Sequence, residues 1–376
     1  MAKIFYSMAG EGRGHAVRVR TLAELLRRDH ELHLFAPDDA FEFLSRFYDA
    51  AGPSVRLLRI PGLRFHYTSS RLDLTKSIFA GLKYAGYDLH RLVRALARRI
   101  ELESPDLVIT DFEPALPRAA RRVGVPVLSL DHQYMLRAYD LSTLPGKLQR
   151  YAWAMSFAVW LYYHHQQRTV VSSFYTPPLK AGWENVTCVG PMIRDDVARQ
   201  TPVRGDFLLS YLRKCTPLAA IEALKAANMP VKVYGLGERP PEANLTFRPI
   251  SEVTFVEDLA GCRAVISAAG NQLLGESLYL GKPFFAIPEK HHHEQLINAH
   301  FLRASGAGDW TTLETFGAED LRHFLSRLDE FDPALGNYQG KLIGNHDAVR
   351  AVTEALAAFG AAPTDEPKSA EIMNHA

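Results

Sequence analysis

Short apolar runs alternate with helix-like segments almost from one end of the chain to the other. That alternation restricts the fold more than any other feature. The first candidate strands are KIFYSM (3–8), ELHLFA (31–36), SVRLLRI (54–60), DLVITD (106–111), PVLSLD (126–131) and RTVVSS (168–173). Helix-like segments lie between them at 15–29, 71–103, 114–123 and 142–166. Apolar, β-branched runs separated by helices predict a parallel sheet with helices on both faces.

The pattern then restarts. Residues 188–205 carry Pro, Gly and mixed charge and read as a linker. After them come DFLLSYL, a helix over 217–227, PVKVYGLG, LTFRPI, a helix near 251–260, AVISAAG, a helix from Asn271, KPFFAIP and a helix from Glu294. The expected fold class is α/β, with two tandem Rossmann-like doubly wound domains and a cleft between them. The first domain is expected over 1–187 and the second over 206–345, with a closing helix at 346–359 and a mobile polar tail at 360–376. A length of 376 residues suits two cores rather than one. In such sheets ligands bind at the carboxyl ends of the strands, so the loops there carry the functional information.

The net charge of +1 implies no strong polyelectrolyte partner, and no nucleic acid is expected. The charge is unevenly spread. Residues 1–150 hold 23 basic and 17 acidic side chains, a net of +6, and the remainder nets −5. A basic first half suits an anionic substrate or an anionic membrane surface, and ordinary solvated helix faces give the same count. Cys188, Cys215 and Cys262 are far apart with no CxxC pair, which argues against a disulfide framework or a cysteine zinc site and for a reducing cytoplasm. The opening KIFYSM reads as a strand, without the charged and apolar regions of a signal peptide. The most apolar run, YAWAMSFAVWLYY (151–163), is too short to span a bilayer. It suits a core helix or one at a membrane interface, and Lys147 and Arg150 beside it allow a lipid-linked acceptor at the inner face of a membrane.

The loop after the first strand reads SMAGEGRGHAVR (7–18). Its Gly10, Gly12 and Gly14 are spaced G-x-G-x-G, whereas the dinucleotide fingerprint G-x-G-x-x-G would need glycine where His15 stands. The glycines also let a backbone approach a substrate closely. His15 then falls on the first turn of the helix, facing the cleft, where a neutral imidazole accepts a proton from a hydroxyl. A capping histidine is the alternative. Asp111 ends a strand at the same sheet edge, where a carboxylate would fix the imidazole tautomer. Its alternative is to cap the helix that starts at Pro114. Gly12, Arg13 and Gly14, with Asp131, His132 and Gln133 at the end of the next strand, are candidate acceptor-side residues.

The longest motif spans residues 264–308. A strand ending at Ser267 turns through Ala268, Ala269 and Gly270 into a helix from Asn271, whose free N–H groups form an anion site. Glu276 on that helix can bond two ribose hydroxyls. Glu294 and Gln295 open the next helix, and an acid–amide pair reads sugar hydroxyls well; a surface Glu276 and a helix-capping Glu294 are the alternatives. At the end of the histidine run 291–293, His293-Glu294 begins like H-E-x-x-H, but Ile297 occupies the second ligand position, so no metal site is expected.

GNQLLGESLYLGKPFFAIP with HEQLINAHFL resembles the nucleotide-sugar-binding region of GT-B glycosyltransferases, and GEGRGHAVR resembles their acceptor-side loop. Together they are similar to a MurG-like, UDP-glycosyltransferase-like group, over most of the chain. The resemblance implies a hexosyltransferase that moves a sugar from a nucleoside-diphosphate sugar, usually a UDP-sugar, to an acceptor hydroxyl. It implies inversion, no essential metal and no cofactor beyond the donor. It assigns His15 as general base and Asp111 as its partner. Gly270, Asn271 and Gln272 fall at the diphosphate turn, Glu276 at the ribose, Glu294 and Gln295 at the donor sugar, and Phe247 and Arg248 beside the nucleobase. The acceptor is unspecified, with a lipid-linked or cell-envelope glycan precursor compatible. Ala268, Gln272 and Leu273 stand where relatives often carry His, Asn or Ser, so diphosphate binding must rest more on backbone N–H groups. A sugar-nucleotide epimerase or hydrolase on the same fold, and a non-catalytic nucleotide-sugar sensor, are the alternative readings.

Overall fold

The computed structural model describes residues 1–10, 13–62, 67–68, 71–72, 88–162, 166–213, 216–290 and 292–360. Among them, β1 (Lys3–Met8), β2 (Glu31–Ala36), β3 (Val55–Arg59), β4 (Tyr67–Thr68), β5 (Arg71–Leu72), β6 (Leu107–Asp111), β7 (Val127–Asp131), β8 (Arg168–Ser172) and β9 (Val186–Val189) come first. The second group is β10 (Leu208–Tyr211), β11 (Val231–Tyr234), β12 (Leu245–Arg248), β13 (Ala264–Ser267), β14 (Phe284–Ala286) and β15 (Gly308–Trp310). Seven strands form one parallel sheet, in the order β3-β2-β1-β6-β7-β8-β9. Six form a second parallel sheet, β12-β11-β10-β13-β14-β15. β4 and β5 make a separate antiparallel pair.

The central strands are buried along nearly their whole length because helices cover both faces. In β6 and β7 every residue is buried. In each sheet the strand order reverses beside the first strand, and ligands of such folds bind at that crevice. In the first sheet the reversal lies between β1 and β6, whose ends are in register at Met8 and Asp111. In the second it lies between β10 and β13, where Tyr211 pairs with Ser267.

Helices pack by their apolar stripes. In Leu89–Glu103 the buried residues are Leu92, Val93, Leu96 and Ile100, the spacing of one helix face. The last helix, Asn345–Gly360, leaves the second sheet and returns to the first. Its Ala348, Val352 and Ala355 join the core of the first domain, where the helix packs on the helix Arg13–Leu26 and on β8 and β9. Burying the valine alone is worth about 1.5–3 kcal/mol.

To its two parallel sheets the structure adds two strands that the sequence pattern does not mark. β9 takes Val186–Val189, reaching into the segment read as linker, and β15 takes Gly308–Trp310. Both are short strands at sheet edges. The helix-like stretch 71–103 is corrected: Arg71–Leu72 is strand and the helix occupies Leu89–Glu103, while 73–87 lies outside the described residues. The helix expected over 142–166 runs from Gly146 to Tyr162. Of the tail, residues 361–376 lie outside the described residues, as does Cys215. Among the described residues no helix is long and apolar enough to cross a membrane.

Candidate active site

His15 and Asp111 come together at the reversal point of the first sheet. His15 sits on the first turn of the helix Arg13–Leu26, and Asp111 is the last residue of β6. The imidazole Nδ1–H donates to Asp111 Oδ1 at 2.7 Å. With the proton on Nδ1, Nε2 is left as the acceptor, and it faces Gln133 Nε2 at 3.4 Å. Asp111 is fully buried and is also held by Arg18, whose Nε donates to Oδ2 at 2.8 Å and Nη2 to Oδ1 at 2.6 Å. Burial pushes the Asp111 carboxyl up, but Arg18 and His15 outweigh it and hold the group below its usual range.

Helix capping, the other role open to Asp111, belongs to Glu113. Its two oxygens accept from the backbone N–H groups of Ala115 at 2.6 Å and Leu116 at 2.9 Å. The chain turns sharply between the two acids, with Phe112 at φ 56°, a left-handed conformation that costs a non-glycine residue about 1–2 kcal/mol. That turn stacks the Phe112 ring near His15, with centroids 6.4 Å apart.

The remaining acceptor-side candidates divide. Gln133 touches His15. Asp131 Oδ1 accepts from the Tyr134 N–H at 2.7 Å and secures its own turn. His132 faces the second domain, with Nε2 3.0 Å from Asn298 Oδ1 and Nδ1 3.2 Å from the Ser172 carbonyl. Burial lowers the His132 pKa. Arg13 reaches across to Glu252 and lies over the Phe43 ring. A Cβ added at Gly14 would lie 3.7 Å from Gln272 Cβ, so this loop abuts the second domain. Gly12 lies outside the described residues.

In the second domain, Gly270 caps the helix Asn271–Tyr279 with no side-chain bond, which leaves the first N–H groups for other acceptors. The side chains of Asn271 and Gln272 are engaged elsewhere. Asn271 bonds the Ser172 carbonyl at 3.1 Å and the Phe174 N–H at 3.3 Å. Gln272 donates to the Met192 carbonyl at 2.6 Å and to Glu276 Oε1 at 2.9 Å. Glu276 is buried, and Arg194 donates to both of its oxygens at 2.7 Å. A further Arg194 bond reaches Glu252 Oε2 at 2.7 Å, which links Glu276 to Arg13 through one chain of charges. Gly275 makes this approach possible, because a Cβ there would come 2.5 Å from Pro191.

Glu294 lies toward His132, His292, His15 and Arg18. Burial pushes its carboxyl up, and these neighbours pull it below the usual range. Gln295 Oε1 accepts from the Glu289 N–H at 3.1 Å and fixes the loop ahead of the helix. Of the histidine run, His292 caps the helix by accepting from the Gln295 N–H and His293 stacks on Tyr151 at 3.7 Å. His291 lies outside the described residues. Phe247 is in the core of the second sheet, covered by the Arg239 guanidinium 4.2 Å from its ring. Arg248, next to it, approaches Asp258 at 4.0 Å. Among the described residues no group of three His, Cys, Asp or Glu side chains is placed to hold a metal ion.

Three residues at this site were not singled out from sequence. Arg18 lies three positions after His15 and Asn298 four after Glu294, so helical spacing puts each on the face of a recognised residue. Arg194 sits in the linker-like segment, where no pattern marks it.

A family model described as glycosyl transferase family 1 matches residues 2–329. An uncharacterized glycosyltransferase of Methanosarcina acetivorans is 28% identical over 336 residues, 81% of this chain and 82% of that protein. Among solved structures, Phytolacca americana UGT2, complexed with UDP-2-fluoro-glucose and pterostilbene, superposes with a TM-score of 0.68 at 14% identity, covering 95% of this chain and 99% of that one. Arabidopsis thaliana UGT89C1, complexed with UDP-L-rhamnose, gives 0.65 at 12% identity, covering 96% and 99%. The two parallel-sheet domains have the GT-B architecture, and the chain belongs to glycosyl transferase family 1.

Proposed function

We propose that this glycosyltransferase uses a UDP-sugar and inverts the anomeric centre, with His15 as general base. The observation that carries the proposal is the His15–Asp111 pair, with Nε2 presented as an acceptor. An acceptor hydroxyl that displaces Gln133 gives its proton to Nε2 as its oxygen attacks the anomeric carbon. The bond from that carbon to the diphosphate breaks on the opposite face. Asp111 stabilises the imidazolium that forms. The negative charge growing on the leaving diphosphate meets the N–H groups of Asn271 and Gln272 at the helix start, while the Gly270 N–H holds the turn by donating to the Ala268 carbonyl at 2.9 Å. This charge stabilisation comes from the backbone, so the step as written needs no metal.

In the same reading Glu276 takes the ribose hydroxyls while Arg194 holds it in place, and Glu294 with Gln295 takes the donor sugar. Arg248, next to the core residue Phe247, borders the base. Arg13, Gly14, Asp131 and His132 shape the acceptor side. The domains are drawn as 1–187 and 206–345, joined by 188–205. The UDP-sugars held by the two solved structures of the same fold support the choice of donor.

The test is NMR of the product formed from an α-linked UDP-sugar with an acceptor panel. A β-linked product is expected. An α-linked product rejects inversion, and epimerised or hydrolysed sugar as the sole product rejects transfer.

A further inference from the structure

The helix Gly146–Tyr162 presents an apolar face to solvent. Trp153, Phe157 and Leu161 are 79%, 62% and 52% exposed and follow one another at four-residue spacing, so they form one stripe along the helix. Phe157 also stacks on Trp160 at 5.4 Å. Other exposed large apolar residues, such as Leu102, Val203 and Leu218, lie in separate parts of the chain. Single exposed residues are ordinary, but a contiguous aromatic stripe marks a contact surface.

The same face continues into Lys147 and Arg150, both exposed, at the start of the helix. No residue of the helix is acidic. A second copy packed antiparallel on this face would set its cations against an apolar end with no carboxylate to meet them. An anionic bilayer answers both halves of the pattern. Lys147 and Arg150 meet headgroups while Trp153, Phe157 and Leu161 enter the acyl boundary. The helix is not a membrane span; it would lie along the surface.

The opposite side of this helix touches the catalytic cleft. Tyr162 stacks on Phe112 at 4.5 Å, and Phe112 neighbours both Asp111 and His15. Tyr151 stacks on His293, beside Glu294. A surface seated on the outer face is therefore one helix away from the reacting groups.

We propose that the Lys147–Leu161 face docks this protein on an anionic lipid bilayer, which brings membrane-borne acceptors to the His15 side of the cleft. The supply of acceptors rests on the transfer reading; the docking does not, and is measured without turnover.

The experiment is co-flotation of the full chain with vesicles of phosphatidylcholine alone or mixed with phosphatidylglycerol. Wild type is expected to bind the mixed vesicles at least tenfold more tightly than the neutral ones, with binding falling as salt is raised. Trp153→Ser/Phe157→Ser/Leu161→Ser should lose at least tenfold on mixed vesicles. Lys147→Glu/Arg150→Glu, which keeps the stripe, should lose the preference for anionic lipid. Because all five residues are exposed, circular dichroism and Tm should stay at wild-type values, and UDP binding should be unchanged. Absence of vesicle binding by wild type overturns the proposal. So does equal binding to both compositions, or a triple variant that binds like wild type. Self-association of wild type that the triple variant abolishes, without vesicle binding, assigns the face to a second copy instead.

Discussion

Arg18 grips Asp111 with two hydrogen bonds, at 2.8 and 2.6 Å, in a site sealed from solvent. The carboxylate that orients His15 is thus already charge-balanced before any substrate arrives. Arg18 leaves His15 with a fixed partner in a fixed ionisation state, and this is its contribution to the site.

Removing that partner should be costly. Arg18→Met leaves a buried carboxylate with His15 alone, and the expected loss of stability is about 3–5 kcal/mol. Arg18→Lys keeps the charge but loses the paired geometry, so a smaller loss is expected. Urea denaturation of the two variants measures both. A loss below about 1 kcal/mol in Arg18→Met would show that Asp111 does not depend on Arg18.

The same cluster sets an acid limit. The folded-state pKa of Asp111 lies below its unfolded value of 3.8. Its ionised form therefore contributes stability that is fully present above that value and is lost as pH falls through the lower folded pKa. The stability difference between wild type and Asp111→Asn should be flat above about pH 5 and shrink below about pH 4. Denaturation midpoints across pH 3–7 test this, and a gap that widens toward acid contradicts it.

Glu276 should govern donor affinity. If the ribose is held there, Glu276→Gln weakens UDP binding at least tenfold in calorimetry, a change of about 1.4 kcal/mol or more. Affinity for inorganic pyrophosphate, which has no ribose, should change much less. Equal losses for both ligands would mean that the substitution disturbs the whole linker contact with Arg194.

Asn298 joins the two domains. Its Oδ1 meets His132 Nε2 and the Tyr175 hydroxyl, each at 3.0 Å, and its Nδ2 donates to the Ala269 carbonyl at 2.9 Å. Asn298→Ala strands buried polar groups on both sides, at an expected cost of about 2–3 kcal/mol. Calorimetry should show a lowered transition, and a Tm within one degree of wild type rejects the bridge as a structural element.

Much of this architecture is legible in the sequence because parallel strands buried on both faces appear as unbroken apolar runs. KIFYSM and DLVITD are such runs, and they end where the structure ends β1 and β6. The edge strands β9 and β15 have four and three residues, too few to set up a pattern. His15 and Asp111 were readable because each terminates or follows a strand at the sheet's reversal point. Arg18 and Asn298 were readable only by helical spacing from a neighbour already recognised. Arg194 was not readable at all, since its pairing with Glu276 depends on how the linker crosses the Gly275 gap. Phe247 shows the opposite limit: its strand was legible, but whether the ring faces solvent or core is decided by the pleat of an edge strand.

The most direct test of the central assignment compares His15→Ala with wild type in sugar transfer from a UDP-sugar to a hydroxyl acceptor of the panel, alongside UDP affinity of the same samples. General-base removal is expected to lower kcat by about 10²–10⁴-fold, with UDP affinity within twofold of wild type. Turnover within tenfold of wild type, with UDP still bound, would contradict the assignment of His15 as the base.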